Sequence, residues 1–110
     1  RANLEAIIAR CRAIGAEVLL STPNAVITTA GRPTETLEQY CDVVRDVGRA
    51  QNVPVCDCYN DLVALRTSDA FAWRLLMSDE IHPNAAGYDL MAERVAGPLR
   101  KLIEKADRAK

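Results

Sequence analysis

The only histidine of the chain, His82, follows Asp79 by three positions and comes directly before Pro83. A turn that leads into a helix can bring two side chains three residues apart to the same side. The Asp79 carboxylate could then accept a hydrogen bond from Nδ1–H of His82, which would fix the imidazole tautomer and leave Nε2 free. An imidazole held in this way is suited to act as a general base. The spacing therefore makes Asp79 and His82 candidate catalytic residues.

A structural interpretation competes with the catalytic one. Pro83 suits the start of a helix because proline lacks the N–H that is unsatisfied there, and Asn84 can cap the helix. An Asp and a His at this spacing also occur as surface or capping residues. In that case the chain would be a small α/β binding or regulatory module in which Asp79 and His82 only cap a helix.

Helical and extended patterns alternate along the chain. In order, they predict a helix from a cap at Asn3 to a stop at Gly15, a strand at 17–21, a loop at 25–33, a helix at 34–51, a strand at 53–57 and a last helix from about Asn84. Both strands consist of short apolar runs, which indicates burial on both faces. Two strands alone would each expose a flank and a face, so we expect neighbours from other chains or from the rest of a larger α/β domain. The apolar residues expected to be buried on or between the helices include Tyr40, Leu62, Leu65, Phe71, Trp73, Leu75, Leu76, Tyr88 and Leu99.

The α-β-α-β-α order predicts parallel strands joined by right-handed crossovers. In such sheets functional groups collect beyond the carboxyl ends of the strands, and we expect both ends to face the same side as His82. Ser21, Thr22 and Asn24 follow the first strand. Thr22 and Asn24 are therefore candidate substrate-binding residues, with loop capping as the alternative, and Ser21 is the best local candidate for a nucleophile.

The stretch SDEIHPNAAGYDLMAERV, residues 78–95, resembles the last motif of the SGNH hydrolases, also called GDSL lipases and esterases. In that motif Asp-x-x-His-Pro precedes a helix start with small residues and a Gly-Tyr pair, matched here by Gly87 and Tyr88. Upstream, residues 3–25 resemble the helix and strand of the family that end in a Thr-Pro turn. Residues 52–62 resemble the next strand, so the resemblance covers nearly the whole chain.

The resemblance implies a flavodoxin-like three-layer α/β/α sandwich with a parallel sheet. It implies a Ser–His–Asp triad in which Asp79 orients His82, and His82 acts first as base and then as acid. The implied reaction is hydrolysis of a carboxylic ester through an acyl-enzyme, without a metal or an organic cofactor. We expect a small ester substrate with a short acyl group on a sugar or a small alcohol.

The nucleophile that the resemblance requires is missing from the sequence. The family places it in a Gly-Asp-Ser turn near its N-terminus, and this chain contains neither Gly-Asp-Ser nor Gly-x-Ser-x-Gly. A partial likeness to the family's Gly-x-Asn-Asp motif at residues 58–61 has Cys in place of Gly and follows the wrong strand, so we interpret Asn60 as a turn residue. We therefore expect residues 1–110 to form the C-terminal part of a single hydrolase domain, inactive alone. Its partner would be the N-terminal segment or another copy of the chain.

Composition excludes several other classes of protein. The chain is 49% apolar and 26% charged with a net charge of −1, and the two signs are interspersed, so we expect no nucleic-acid partner. No apolar run is long enough to span a membrane. The four cysteines, Cys11, Cys41, Cys56 and Cys58, fall at apolar positions and lack zinc-site spacing, so we expect free thiols and no metal. Reduced thiols favour a cytoplasmic setting, although the sequence does not fix the localisation.

Overall fold

The computed structural model describes residues 1–27 and 34–108. Its elements, in chain order, are α1 (Ala2–Ala13), β1 (Leu20–Ser21), α2 (Thr34–Gln51), β2 (Val55–Cys56), α3 (Cys58–Ser68), α4 (Ala70–Arg74) and α5 (Ala85–Arg108). Residues 28–33 of the predicted loop lie outside the described residues. The fold is helix-rich α/β with a small sheet.

The sheet confirms the predicted parallel pairing. Leu20 pairs with Val55 and Ser21 with Cys56. The backbone N–H of Leu20 donates to Pro54 O at 2.9 Å, which shows that the ladder begins beside the proline. Both strands are two residues long, shorter than predicted. Among the described residues each strand pairs only with the other, so no second strand lengthens the hydrogen-bonded part of either one.

The two strands are only partly buried. Leu20 and Val55 are half-buried, Cys56 is buried and Ser21 is exposed, in agreement with the expectation that two strands alone expose a flank and a face. An apolar cluster of Ile8, Val47 and Val53 covers one side, with Leu20 packed against it. Helix α2 contacts both strands, and α5 contacts β2.

The first helix ends as predicted but begins differently. Gly15 has φ +78°, its N–H donates to Arg12 O at 3.0 Å, and Ala16 N–H donates to Cys11 O at 3.0 Å. These two bonds form a Schellman motif, which requires the left-handed conformation that glycine adopts readily. At the other end Arg1 occupies the N-cap position, so the predicted cap at Asn3 is wrong.

A second apolar cluster forms around α3, α4 and residues 25–27. Its buried members are Ala25, Cys41, Tyr59, Leu62, Trp73 and Met77. The Arg66 guanidinium lies over the Trp73 ring, with Cζ 5.4 Å from the ring centroid. The indole Nε1 is buried and has no hydrogen-bond partner among the described residues.

Several residues predicted to be buried are exposed. Leu62 and Trp73 are buried as predicted, and Leu65 and Leu76 are half-buried. The residues for which the prediction is wrong are Tyr40, Phe71, Leu75, Tyr88 and Leu99, exposed by 66%, 75%, 60%, 53% and 45%. The segment after β2 forms two helices, because Asp69 caps a separate one-turn helix by accepting from Ala72 N–H at 3.0 Å. So short a helix buries only the side that carries Trp73.

Asn84 joins the start of α5 to the end of α4. Its Oδ1 accepts from Gly87 N–H at 3.0 Å, which is the predicted capping bond, and its Nδ2 donates to Leu75 O at 2.6 Å. Its backbone N–H donates to Leu76 O at 2.7 Å. A Cβ at Gly87 would overlap Leu76 O and lie 2.8 Å from Pro83 Cβ, so glycine permits this close approach.

An ionic network holds the carboxyl ends of the two strands together. Asp57 caps α3 by accepting from Asn60 N–H at 3.2 Å, and Arg45 Nε donates to its Oδ2 at 2.7 Å. Thr22 Oγ1 lies 3.2 Å from Asp57 Oδ1 and links the end of β1 to the same carboxylate. The hydrogen bond from Arg45 is the main cause that lowers the pKa of Asp57. Asn60 lies in the first turn of α3, so its interpretation as a turn residue is wrong.

We expect Gly87→Ala to lower the free energy of unfolding by about 1–3 kcal/mol, because the added methyl group meets backbone and a proline ring that cannot move independently. The matched control is Ala86→Ser, which adds one atom at the exposed neighbouring position and should cost about 0.5 kcal/mol or less. Urea unfolding of both variants measures the difference. Equal stability of the two would contradict the close approach.

We expect Asp57→Asn to lower the free energy of unfolding near neutral pH by about 1–3 kcal/mol, since Arg45 loses a charged partner. The folded-state pKa of Asp57 lies below its unfolded value of about 3.9, so its contribution is present above that value and is lost as the pH falls through the folded pKa. The variant should therefore lose less stability than the wild type as the pH falls below about 4. Arg45→Met removes the main cause of the shift and should flatten the profile in the same direction. Parallel acid profiles for all three proteins would refute this account.

Candidate functional site

The loop that carries the candidate pair is closed by its own hydrogen bonds. Met77 and Pro83 pair as an isolated antiparallel bridge, and Ser78 N–H donates to His82 O at 2.8 Å. Asp79 Oδ1 accepts from Ile81 N–H at 2.8 Å and from His82 N–H at 2.6 Å. One carboxylate oxygen therefore organises the backbone that presents the imidazole.

The second oxygen of Asp79 contacts the imidazole itself. Oδ2 lies 2.8 Å from His82 Nδ1, which confirms the predicted hydrogen-bond geometry. The hydrogen bond with the His82 side chain, followed by those from the backbone N–H groups of Ile81 and His82, lowers the pKa of Asp79 to about 2. The carboxylate is then ionised at neutral pH and can only accept, so Nδ1 of a neutral imidazole carries the proton. Nε2 has no hydrogen-bond partner in residues 1–27 and 34–108, and the side chain is 59% exposed.

The loop is tied to the chain that follows β1. Asn24 Nδ2 donates to Ile81 O at 3.0 Å, and Ile27 N–H donates to Glu80 O at 2.8 Å. These bonds bring His82 to the carboxyl-end side of the sheet, in agreement with the expectation from the α-β-α-β-α order. The Asp79–His82 pair therefore lies where a parallel sheet gathers functional groups.

Thr22 and Ser21 have internal partners instead of His82. Thr22 is 2% exposed, and its Oγ1 accepts from Tyr59 N–H at 2.9 Å in addition to contacting Asp57. Ser21 Oγ lies 3.0 Å from Thr22 O and 3.5 Å from Cys58 Sγ. The substrate-binding role of Thr22 stays a prediction, and Ser21 is not brought into contact with the imidazole.

The other serines do not fill the role of nucleophile either. Ser78 Oγ lies 3.0 Å from His82 O, a backbone atom, and Ser68 Oγ lies 3.3 Å from Leu65 O. All three serines of the sequence are thus described, and none has a hydrogen bond to Nε2. The site that these residues form contains the His82 imidazole and the Asp79 carboxylate bonded to it.

No group of three or more His, Cys, Asp or Glu side chains in the described part of the chain is arranged to hold a metal ion. The four cysteines are free thiols, and burial is the main cause that raises the pKa of Cys41 and Cys56. Within residues 1–27 and 34–108 there is also no helix with the length and apolar character needed to cross a membrane.

Sequence reasoning missed the two backbone contacts of Asp79 and the tie from Asn24 to Ile81. The first had a local signal, because an Asp commonly accepts from backbone N–H groups two or three residues later. The second joins residues 57 positions apart, and no spacing rule predicts it.

Comparison with known proteins gives one match for the chain. A family model described as "GDSL-like Lipase/Acylhydrolase family" matches residues 1–90. No curated protein and no solved structure gives a significant match. The matched region contains both strands of the parallel sheet and the loop with Asp79 and His82, and it covers most of the 110 residues. The chain therefore belongs to the GDSL-like lipase/acylhydrolase family.

Proposed function

We propose that Asp79 and His82 are the orienting acid and the general base of a serine hydrolase that cleaves carboxylic esters. Membership of a lipase/acylhydrolase family indicates a hydrolase acting on a small molecule. The observation that carries the proposal is the 2.8 Å contact between Asp79 Oδ2 and His82 Nδ1, which leaves Nε2 without a partner among the described residues. Both residues lie within the matched region.

In this mechanism Nε2 of His82 takes the proton of a serine hydroxyl as the oxygen attacks the ester carbonyl carbon. The tetrahedral intermediate collapses, the bond to the alcohol oxygen breaks, and the imidazolium gives its proton to that oxygen. Water then attacks the acyl-enzyme with the same proton transfers, and the acid and the free serine are released. The Asp79 carboxylate holds the ring orientation and stabilises the imidazolium in both halves.

We also propose that this chain contributes the C-terminal part of the complete α/β/α hydrolase domain. Three observations support this: the sequence has no Gly-Asp-Ser, no serine bonds to Nε2, and each described strand pairs on one side only. The nucleophile and the oxyanion-hole donors would then come from an N-terminal segment or from another copy of the chain. Esters with short acyl groups on a sugar or a small alcohol remain our proposed substrates.

The geometry around α5 favours the catalytic role of Asp79 and His82 over a binding module in which the pair only caps a helix. Asn84, not Asp79 or His82, accepts the hydrogen bond from Gly87 N–H in the first turn of α5. Asp79 Oδ1 already satisfies two loop N–H groups, and its Oδ2 is left to the imidazole. A helix cap does not require that second contact.

The proposal requires the Nδ1–H tautomer of His82. We expect the ¹⁵N chemical shifts of the single imidazole, recorded at alkaline pH, to be those of an N–H nitrogen at Nδ1 and of an unprotonated nitrogen at Nε2. Asp79→Ala should move both shifts toward those of a free imidazole, in which Nε2–H predominates. Glu80→Gln, which neutralises the neighbouring exposed carboxylate, is the control and should leave the shifts unchanged. An Nε2–H tautomer in the wild type would rule out the proposed base.

The location of the nucleophile can be tested with p-nitrophenyl acetate and a fluorophosphonate probe. The 110-residue chain should hydrolyse the ester no faster than its His82→Ala variant, and the probe should not label it, because removing a triad member costs several orders of magnitude in rate. A longer protein that contains the residues preceding Arg1 should be labelled on a serine outside this chain, and His82→Ala should abolish the labelling. His82-dependent turnover by the 110 residues that is lost in Ser21→Ala would instead identify Ser21 as the nucleophile.

A further inference from the structure

We propose that Asn24 is a positioning residue that holds the backbone of residues 80–82 so that Asp79 can orient His82. The inference rests on the proposed function, because it assigns Asn24 a part in the same site. The substrate-binding role of Asn24 stays a prediction beside it. The two protons of its side-chain amide are directed to Ala25 O and Ile81 O, both at 3.0 Å.

Two consecutive peptide groups of the loop are held from both sides. In the first, Glu80 C=O accepts from Ile27 N–H at 2.8 Å, while Ile81 N–H donates to Asp79 Oδ1. In the second, Ile81 C=O accepts from Asn24 Nδ2, while His82 N–H donates to Asp79 Oδ1. Each peptide therefore links the segment 24–27 directly to the carboxylate.

This arrangement transmits the position of Asn24 to Asp79. A peptide group is planar, so fixing its C=O also fixes the direction of its N–H. A hydrogen bond accepted at C=O polarises the group and strengthens the bond that its N–H donates. Loss of the hydrogen bond from Asn24 should therefore weaken the hydrogen bonds that backbone N–H groups donate to Asp79 Oδ1. The orientation of Oδ2 toward His82 Nδ1 should then be less well fixed.

The segment 24–27 is itself fixed firmly enough to serve as an anchor. Thr22, just before it, is buried and bonded to Asp57 and to Tyr59 N–H. Ala25 is fully buried in the second apolar cluster, and Arg66 donates to Val26 O at 3.1 Å. The loop that carries His82 is thus tied to the core of the fold through Asn24.

The test compares Asn24→Asp and Asn24→Ala with Asn3→Asp in the 110-residue chain. The aspartate variant keeps the shape of Asn24 but cannot donate, and the alanine variant controls for the added charge. Asn3→Asp makes the same chemical change at an exposed residue of α1. The readouts are the ¹⁵N tautomer signature of His82 and the hydrogen exchange of the Ile81 and His82 amides.

Both Asn24 variants should lose part of the Nδ1–H signature, and the two loop amides should exchange about 3- to 10-fold faster, the effect of losing one net hydrogen bond. Amides of α2 and the Asn3→Asp protein should match the wild type. The inference is overturned if the signature and the loop exchange do not change, or if all protected amides accelerate together. It is also overturned if both variants fail to fold, since Asn24 would then act on the whole fold.

No substrate enters these measurements, so they separate the two proposals. The proposed function alone would be overturned if the wild-type chain has the Nδ1–H signature while the longer protein shows no ester hydrolysis that depends on His82. The role of Asn24 alone would be overturned if the Asn24 variants keep the Nδ1–H signature of His82 while the longer protein is active.

Discussion

The candidate site depends on the ionised carboxylate of Asp79, which serves the loop backbone and the imidazole at once. Oδ1 accepts from two backbone N–H groups, and Oδ2 lies 2.8 Å from His82 Nδ1. Because each of these bonds favours the charged form, the pKa of Asp79 falls to about 2. The same charge therefore shapes the loop and favours the Nδ1–H tautomer of His82.

A carboxylate can orient a ring only if its own backbone is fixed, and the fold supplies one anchor on each side of the loop. On the side of β1, the segment 24–27 holds the carbonyl groups of Glu80 and Ile81. On the other side, Asn84 binds the chain at the end of α4 while it caps α5, and Gly87 lets the first turn of α5 approach the backbone of Leu76. An exposed side chain such as His82 can in this way have a defined orientation.

The features that sequence predicted are those set by local or periodic rules. The spacing of Asp79 and His82 predicted their contact, Gly15 predicted the end of α1, and the order of helices and strands predicted parallel pairing. The extent of the strands and the exposure of Phe71 could not be read in this way, since both depend on which neighbours cover each face. The tie from Asn24 joins distant parts of the chain, so only the folded structure reveals it.

Trp73 gives the segment 24–27, the anchor segment on the side of β1, a fluorescent reporter. It is the only tryptophan in the sequence, it is 5% exposed, and it packs in the same apolar cluster as Ala25, with Arg66 over its ring. Arg66 also donates to Val26 O, so the indole and the anchor segment share one cationic neighbour. Its fluorescence therefore reports on the packing that supports the loop of Asp79 and His82, while the imidazole resonances of His82 report on the loop itself.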